Sequence, residues 1–502
     1  MFNISRGFFL LLLLFSSNIL LAQDLQTIID SAPNQEAFWS VTVRDGEGNI
    51  LENVNSDKLI IPASNQKLFT TAAVLDGLGS DFKYTTNVYG EGALVDSVWE
   101  GYFIIKAVGD PSISGIMYNG DRYHVFKSFL DQFHKKGIHD YSGGRNYDGG
   151  YKVDANYFDD QVYPKGWDWD DLSFYYGVEI HALSFNNNAV DIEVFADSSV
   201  GKRPRVEHFP NTWRIQTGEN IDDIYFLKPV IQLLNRQEII PENLEYDEYY
   251  RRELGSNQIV LGSKLPKGYY EKESLSIQDA ETFFIDSFDE FLKQNGFNKD
   301  YYFYDEEYLI EGDYDYINNP IIASHTSEPL SKLVEWTNKE SDNFYTEMLL
   351  KTLAAEKAGI PGTFENGIKE VRNFLGRMEI DTTFVIMKDG SGMASGNFTK
   401  TAILSEFLVK MQDHPEFSSF YNSMSIAGID GTIAHRMKGT PLYNNFKGKS
   451  GYVGGVRTLS GYFTTASGKK LIVSLAVNNF IGKVRPIDAI HEQILEYLYA
   501  KY

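Results

Sequence analysis

Three short groupings in this 502-residue chain carry side chains able to make and break covalent bonds. Ser64 and Lys67 stand three apart in Pro62-Ala-Ser-Asn-Gln-Lys67, at the head of a run of good helix formers that includes Leu68, Val74 and Leu75. Residues three apart on a helix are neighbours, so the lysine can lie beside the hydroxyl. A serine is a poor nucleophile until a base takes its proton, and a lysine whose pKa is lowered by burial or a nearby cation can be that base. Further along come Ser341-Asp-Asn343 and Lys449-Ser450-Gly451, the latter the only Lys-[Ser/Thr]-Gly in the chain. Each spacing alone says little. Ser467 and Lys470 repeat the first around a Gly468 that reads as a hairpin turn, and Ser184-Phe-Asn186 and Ser395-Gly-Asn397 repeat the second.

The elements that must hold these groups come from both ends of the chain. Ala37 to Arg44 alternates apolar and polar residues as a half-buried strand, Gly46-Glu-Gly-Asn49 turns, and Ile50 to Val54 returns. This hairpin delivers the chain to the Ser64 helix, which ends near Gly77-Leu-Gly79. Glu328-Pro329 opens a helical stretch to Trp336, and a second helix runs from about Phe344 to Lys357, which leaves Ser341 and Asn343 in the short link. Asp389-Gly-Ser-Gly392 reads as a tight turn. Lys449-Ser-Gly is placed on an edge strand, followed by apolar strands Val456 to Thr464 and Lys470 to Val477. Val484 to Tyr502 closes the chain as a helix with Ile487, Ile490, Ile494, Leu495 and Leu498 on one side. Together these predict one antiparallel sheet flanked by helices, an α+β domain made of residues 23–84 and 320–502.

Residues 85–319 read as a large, mostly β insertion in two subdomains. Thr85 to Tyr89 and Gly101 to Val108 are strand-like, Gly109-Asp-Pro111 and Asn186-Asn-Asn188 are turns, and His124 to Lys136 and Ala280 to Asn295 are helical. Gly166-Trp-Asp-Trp-Asp-Asp171 crowds two tryptophans and three carboxylates into six residues. It reads either as a packed aromatic loop with solvated acids or as the wall of a binding cleft.

Composition narrows the function classes. At 502 residues the chain is too long for one ordinary core, and 43% hydrophobic residues with 32 Tyr and 34 Phe describe a well-packed globular protein. A net charge of −23 argues against nucleic acid and anionic membrane surfaces, both of which need basic patches. Arg6, the apolar run from Gly7 to Leu21, and Ala22-Gln23-Asp24 read as a secretory signal peptide cut after Ala22. The run is short for a bilayer span, so the expectation is an exported, periplasmic protein with no integral membrane segment after cleavage. There is no cysteine, hence no disulfide. Nine scattered histidines offer no zinc spacing, and no metal or other cofactor is expected.

In order and context, Ser64-x-x-Lys67, Ser341-x-Asn343 and Lys449-Ser450-Gly451 resemble the signature of penicillin-binding proteins and class A β-lactamases. With Gly109-Asp-Pro111, Gly166-Trp-Asp-Trp169, Thr337-Asn-Lys-Glu-Ser-Asp-Asn343 and Asp389-Gly-Ser-Gly392, the chain resembles the D-alanyl-D-alanine carboxypeptidase/endopeptidase family, peptidase family S13, of the penicillin-binding protein 4 type. The resemblance covers nearly the whole mature chain, including the insertion that typical β-lactamases lack.

That resemblance implies a penicillin-binding/β-lactamase-like fold and a division of labour. Ser64 would attack the carbonyl between two D-alanines of a peptidoglycan stem peptide, Lys67 taking its proton, to give an acyl-enzyme that β-lactam antibiotics also form. Ser341 and Lys449 would pass the proton to the leaving amine, with Lys449 lowering the pKa of Lys67 by like-charge repulsion. Asn343 would hydrogen-bond the substrate amide, and Ser450 would hold the terminal carboxylate. Backbone N–H groups of Ser64 and Tyr452, beside Gly451, would form the oxyanion hole. Asp171 matches the place where relatives set an acid beside the substrate's side-chain amine. Serine replaces the usual threonine in the third motif and keeps its hydroxyl. Three rivals stand: a β-lactamase, against which the insertion argues; an inactive peptidoglycan-binding module, against which the intact Ser and Lys residues argue; and an unrelated serine esterase.

Overall fold

In the strands nearest the motifs, apolar residues alternate with small hydroxyl residues: Val41 and Val43 with Ser40 and Thr42, Leu459 with Thr458 and Ser460, Val473 and Leu475 with Ser474. Such a pattern makes one sheet face oily and the other shallow and polar. The computed structural model describes residues 24–32, 36–141, 149–212, 215–218, 231–297 and 314–502. The signal peptide read at residues 1–22 lies outside them.

The chain divides into two compact units. The first takes Met1–Asp81, Leu330–Thr346 and Ile368–Tyr502, and the second Phe82–Pro329 with Glu347–Gly367. The first is built on a six-stranded antiparallel sheet. Its order is Ser425–Ile426, Lys447–Val453, Val456–Thr464, Lys470–Asn478, Phe38–Asp45, Ile50–Val54. The N-terminal hairpin therefore joins the C-terminal strands, with Val41 opposite Leu475, which is the single α+β sheet predicted from the sequence.

On the oily face, the C-terminal helix Val484–Lys501 buries Ile487, Ile494, Leu495 and Leu498 against Val41, Val43, Leu459, Val473 and Leu475. Each fully buried aliphatic side chain contributes about 1.5–3 kcal/mol. On the other face, Ser40 and Thr42 meet Thr401 Oγ1 at 2.7 and 2.9 Å, and Asn65 Nδ2 donates to Ser460 Oγ at 2.7 Å. Small hydroxyl side chains let the helices Gln66–Leu78 and Thr401–Met411 lie close to the sheet. Every residue from Gln66 to Leu75 is buried, so this helix is enclosed on all sides rather than presenting one core face.

The second unit is mainly β, with several small sheets. The largest pairs Thr85–Val95 with Val98–Lys106 and Ile321–Thr326, and adds Gly150–Asp154 in parallel. Its helices His124–Lys135 and Ala280–Gln294 carry an aromatic core in which Phe126, Phe129, Phe133, Phe284 and Phe288 are fully buried. No helix among the described residues is long and apolar enough to cross a membrane.

Candidate active site

The first unit brings all three sequence groupings together. Ser64 lies in a 3-10 turn, Ala63–Asn65, that leads into the helix carrying Lys67. Ala63 sits at φ +45°, a left-handed conformation that costs an L-residue roughly 1–2 kcal/mol. Its surroundings hold it there. Thr458 Oγ1 donates to the Pro62 carbonyl at 2.9 Å, and Gly392 passes so near that a Cβ would fall 1.9 Å from the Ala63 oxygen. Strain held by its neighbours in this way is common where a reactive group must be aimed.

Lys67 is fully buried. Its Nζ donates to Ser64 Oγ at 3.2 Å, Asn343 Oδ1 at 2.6 Å and the Ser391 carbonyl at 2.9 Å. The Ser391 carbonyl is presented by the Asp389-Gly-Ser-Gly392 turn. Asp389 accepts from the N–H groups of Gly392 and Ala394, both at 2.7 Å, and from Asn397 Nδ2 at 2.9 Å.

Ser341 and Asp342 form the link between helices Leu330–Glu340 and Asn343–Ala358, so Asn343 opens the second helix instead of lying in the link. Ser341 is left-handed, at φ +62°. Asp342 pins the link by accepting from Tyr345 N–H at 2.9 Å and Trp336 Nε1 at 3.0 Å, and burial raises its carboxyl pKa. Lys449, also fully buried, donates to Ser341 Oγ and to the Ser450 carbonyl, each at 2.8 Å. Burial, then the charges of Lys67 and Arg457, hold its amine well below the ordinary lysine value.

Lys449 was expected on an edge strand. The structure adds a two-residue strand, Ser425–Ile426, outside it, pairing with Gly448 and Lys447 only. From Lys449 onward that side of the strand has no strand partner among the described residues, while its other side pairs Ser450 with Leu459 and Gly451 with Thr458. Ser450 Oγ donates to Thr432 Oγ1 at 2.8 Å. A Cβ on Gly451 would lie 2.3 Å from Thr458 Oγ1 and 2.8 Å from Ser64 N, so only glycine lets this strand meet the serine's turn. Tyr452 is 56% exposed.

Asp171 belongs to the second unit, in the short turn Asp171–Ser173. Burial, then the neighbouring Asp170 and Asp168, raise its pKa. In the loop before it Asp168, Trp169 and Asp170 are exposed, and the Arg251 guanidinium stands 5.7 Å from the Trp169 ring centre.

Three contributors escaped sequence reasoning. The Ser391 carbonyl comes from a turn that was recognised without its partner. Thr432 has no sequence signal at all. Arg457 did leave one, a cation inside an apolar strand. It clamps Asp488 of the C-terminal helix through Nε at 2.7 Å and Nη2 at 3.1 Å, and reaches the Gly451 carbonyl at 3.4 Å. Chemically, two serine–lysine pairs sharing one buried centre suit nucleophilic acyl transfer with internal proton movement.

The chain is 27% identical over 498 residues to a D-alanyl-D-alanine carboxypeptidase of Actinomadura sp., covering 95% of this chain and 85% of that one. It is 23% identical to D-alanyl-D-alanine carboxypeptidase DacB of Haemophilus influenzae, covering 94% and 92%. The crystal structure of penicillin binding protein 4 (dacB) from Haemophilus influenzae superposes with a TM-score of 0.78 at 21% identity, over 96% of this chain and all of that one, which establishes the shared fold. The D-Ala-D-Ala carboxypeptidase 3 (S13) family model matches residues 21–498, and the chain therefore belongs to that family.

Proposed function

We propose that the protein is an exported, periplasmic serine peptidase that cleaves the D-Ala-D-Ala bond of peptidoglycan stem peptides, and D-Ala-diaminopimelate cross-bridges, through an acyl-enzyme on Ser64. The observation that carries this reading is the meeting of two serine–lysine pairs, their lysines fully buried, at one strand whose glycine touches the nucleophile's turn. Relatives named D-alanyl-D-alanine carboxypeptidase support the substrate class, and a crystal structure of penicillin binding protein 4 complexed with a β-lactam supports acylation by such antibiotics.

In this reading Ser64 Oγ attacks the carbonyl carbon as its proton passes to Lys67 Nζ, 3.2 Å away. The N–H groups of Ser64 and Tyr452 stabilise the oxyanion. When the intermediate collapses, the C–N bond breaks and the leaving amine takes a proton from the Ser341–Lys449 pair, whose members are 2.8 Å apart. Water then hydrolyses the ester and Ser64 regains its proton. Asn343 orients the substrate amide, Ser450 the terminal carboxylate, and the open side of the Lys449–Tyr452 segment receives the extended peptide. Asp171 is assigned to the amine of the stem peptide's third residue.

Intact mass of the mature protein with benzylpenicillin, alongside Ser64→Ala, tests the proposal. A lasting single adduct absent from the variant, with D-Ala released from a stem pentapeptide, is expected. Rapid loss of penicillin without an adduct would mean a β-lactamase, and neither adduct nor turnover would mean an esterase or a binding module.

A further inference from the structure

Thr432 takes no step in the chemistry proposed for Ser64, yet in the first unit its hydroxyl touches the strand that carries Lys449. It belongs to the three-residue turn Gly431–Ile433, in a tight loop that begins at the short strand Ser425–Ile426. The loop closes on itself: Asp430 Oδ1 accepts from Ile426 N–H at 2.7 Å, and Gly428 N–H donates to the Ile433 carbonyl at 3.1 Å.

The same loop is fastened to the helix that leads into Ser341. Lys339 Nζ pairs with Asp430 Oδ2 at 3.0 Å, and the Lys339 carbonyl accepts from Ser425 Oγ at 3.3 Å. Gly431 sits between these ties, left-handed at φ +59°, where a Cβ would fall 2.2 Å from Ser425 Oγ and 2.8 Å from the Lys339 carbonyl. Only glycine can approach so closely. Thr432 stands two residues after Asp430, and Ser341 two residues after Lys339, so one ion pair fixes both hydroxyl residues. A side chain held this firmly loses little further freedom when a ligand settles on it.

Hydrogen bonding then decides which hydroxyl can serve a ligand. Each has one proton to give. Ser450, only 3% exposed, gives its proton to Thr432 Oγ1 at 2.8 Å. Thr432 is exposed, and its own proton meets no acceptor among the described residues. The donor left for a ligand is therefore Thr432, with Ser450 behind it. A hydroxyl that already accepts a hydrogen bond is polarised toward giving its own. Lys449 Nζ, which donates to the Ser450 carbonyl at 2.8 Å, keeps this hydroxyl pair adjoining the Ser341–Lys449 pair. Such a donor suits an anionic oxygen best, since a hydrogen bond to a charged acceptor is the stronger kind.

We infer that Thr432 is a substrate-binding residue, whose hydroxyl donates to the free carboxylate at the substrate's chain end, and that Ser450 acts on that carboxylate through it. The inference rests on the peptidase reading for its substrate and deepens it by dividing recognition of the carboxylate between two hydroxyls.

The test uses two D-alanyl thioesters with the mature protein, one with a thioglycolate leaving group and one with the methyl ester of that group. A thioester is reactive enough to acylate Ser64 without the carboxylate, so thiol release reports kcat/KM for both. Thr432→Val keeps the side chain's shape and removes the hydroxyl, Thr432→Ala repeats the deletion without the branch, and Thr432→Ser keeps the hydroxyl. The first two changes should lower kcat/KM for the acid by roughly tenfold to a hundredfold, the worth of a hydrogen bond to a charged group, with little effect on the neutral thioester. Thr432→Ser should restore most of the loss. Equal losses on acid and neutral thioester, an unaltered rate on the acid, or no recovery in Thr432→Ser would overturn the inference and leave the peptidase reading standing. Absence of both thiol release and a benzylpenicillin adduct in the unaltered protein would sink the peptidase reading, and this inference with it.

Discussion

Lys449 is the residue through which pH should act on this site. Its folded-state pKa lies well below the unfolded value because the amine is buried and faces Lys67 and Arg457. Between those two values the unfolded chain binds more protons, so stability rises with pH across that window. The amine that helps to protonate the leaving group carries its proton only below the folded value, so the benzylpenicillin acylation rate should decline as pH rises through it. Lys449→Met, similar in length and uncharged, should lower that rate by roughly 10²–10⁴-fold and flatten the decline. An alkaline limb unchanged in the variant would assign the titration elsewhere. Asp110, buried in the second unit, titrates in the opposite sense. Burial lifts its pKa from 3.8 to about 6 against the hydrogen bonds from Ser112. The native state holds the extra proton between those values, so its contribution to stability falls as pH rises through them, by roughly 3 kcal/mol in all. Asp110→Asn should raise the thermal midpoint at neutral pH more than near pH 4; equal shifts at both would contradict the assignment. At this scale the serines, lysines and Asn343 were legible, because covalent chemistry demands particular side chains in a particular order. The Ser391 carbonyl was not, since a backbone oxygen's aim depends on dihedral angles rather than residue type.

Among elements, the Lys-Ser-Gly strand is the part with least freedom. Its glycine sits where a methyl group would press on both Thr458 Oγ1 and Ser64 N. Gly451→Ala should displace the strand or the serine's turn by about an ångström, and misplacement of that size lowers acylation on the order of 10²-fold. A near-normal acylation rate would show that the contact is slack. Behind the strand, Thr401 serves both Ser40 and Thr42. Thr401→Val keeps the shape and orphans the Thr42 hydroxyl, while Ser40 keeps its bond to the Asn55 carbonyl at 3.1 Å, which should destabilise the first unit by about 1–3 kcal/mol in urea unfolding. The strands and helices were readable because alternation and helical spacing are strong in them. The two-residue strand Ser425–Ile426 is too short to leave any pattern, so the sequence alone puts the Lys-Ser-Gly strand outermost.

At the scale of the molecule, each unit has its own core, one aliphatic around the C-terminal helix and one aromatic around Phe126 and Phe288. Calorimetry should then resolve two transitions, and acylation of Ser64 should raise only the one belonging to the first unit. A single cooperative transition, or an equal shift of both, would contradict this. The sequence carried the assembly of one sheet from both chain ends, since strands with the same alternation stand at either end. It left the loop that carries Thr432 unread, because Asp430 and Lys339, far apart in the chain, give no sign that they pair.

The pairing of Phe38–Asp45 with Lys470–Asn478 also sets a timetable. A growing chain carries Ser64 long before the strand Lys470–Asn478 that completes the sheet beside it has been made. Contacts so distant in sequence form late, and domains with local contacts fold ahead of them. A copy cut short before Lys470 thus has the serine without the sheet that arms it.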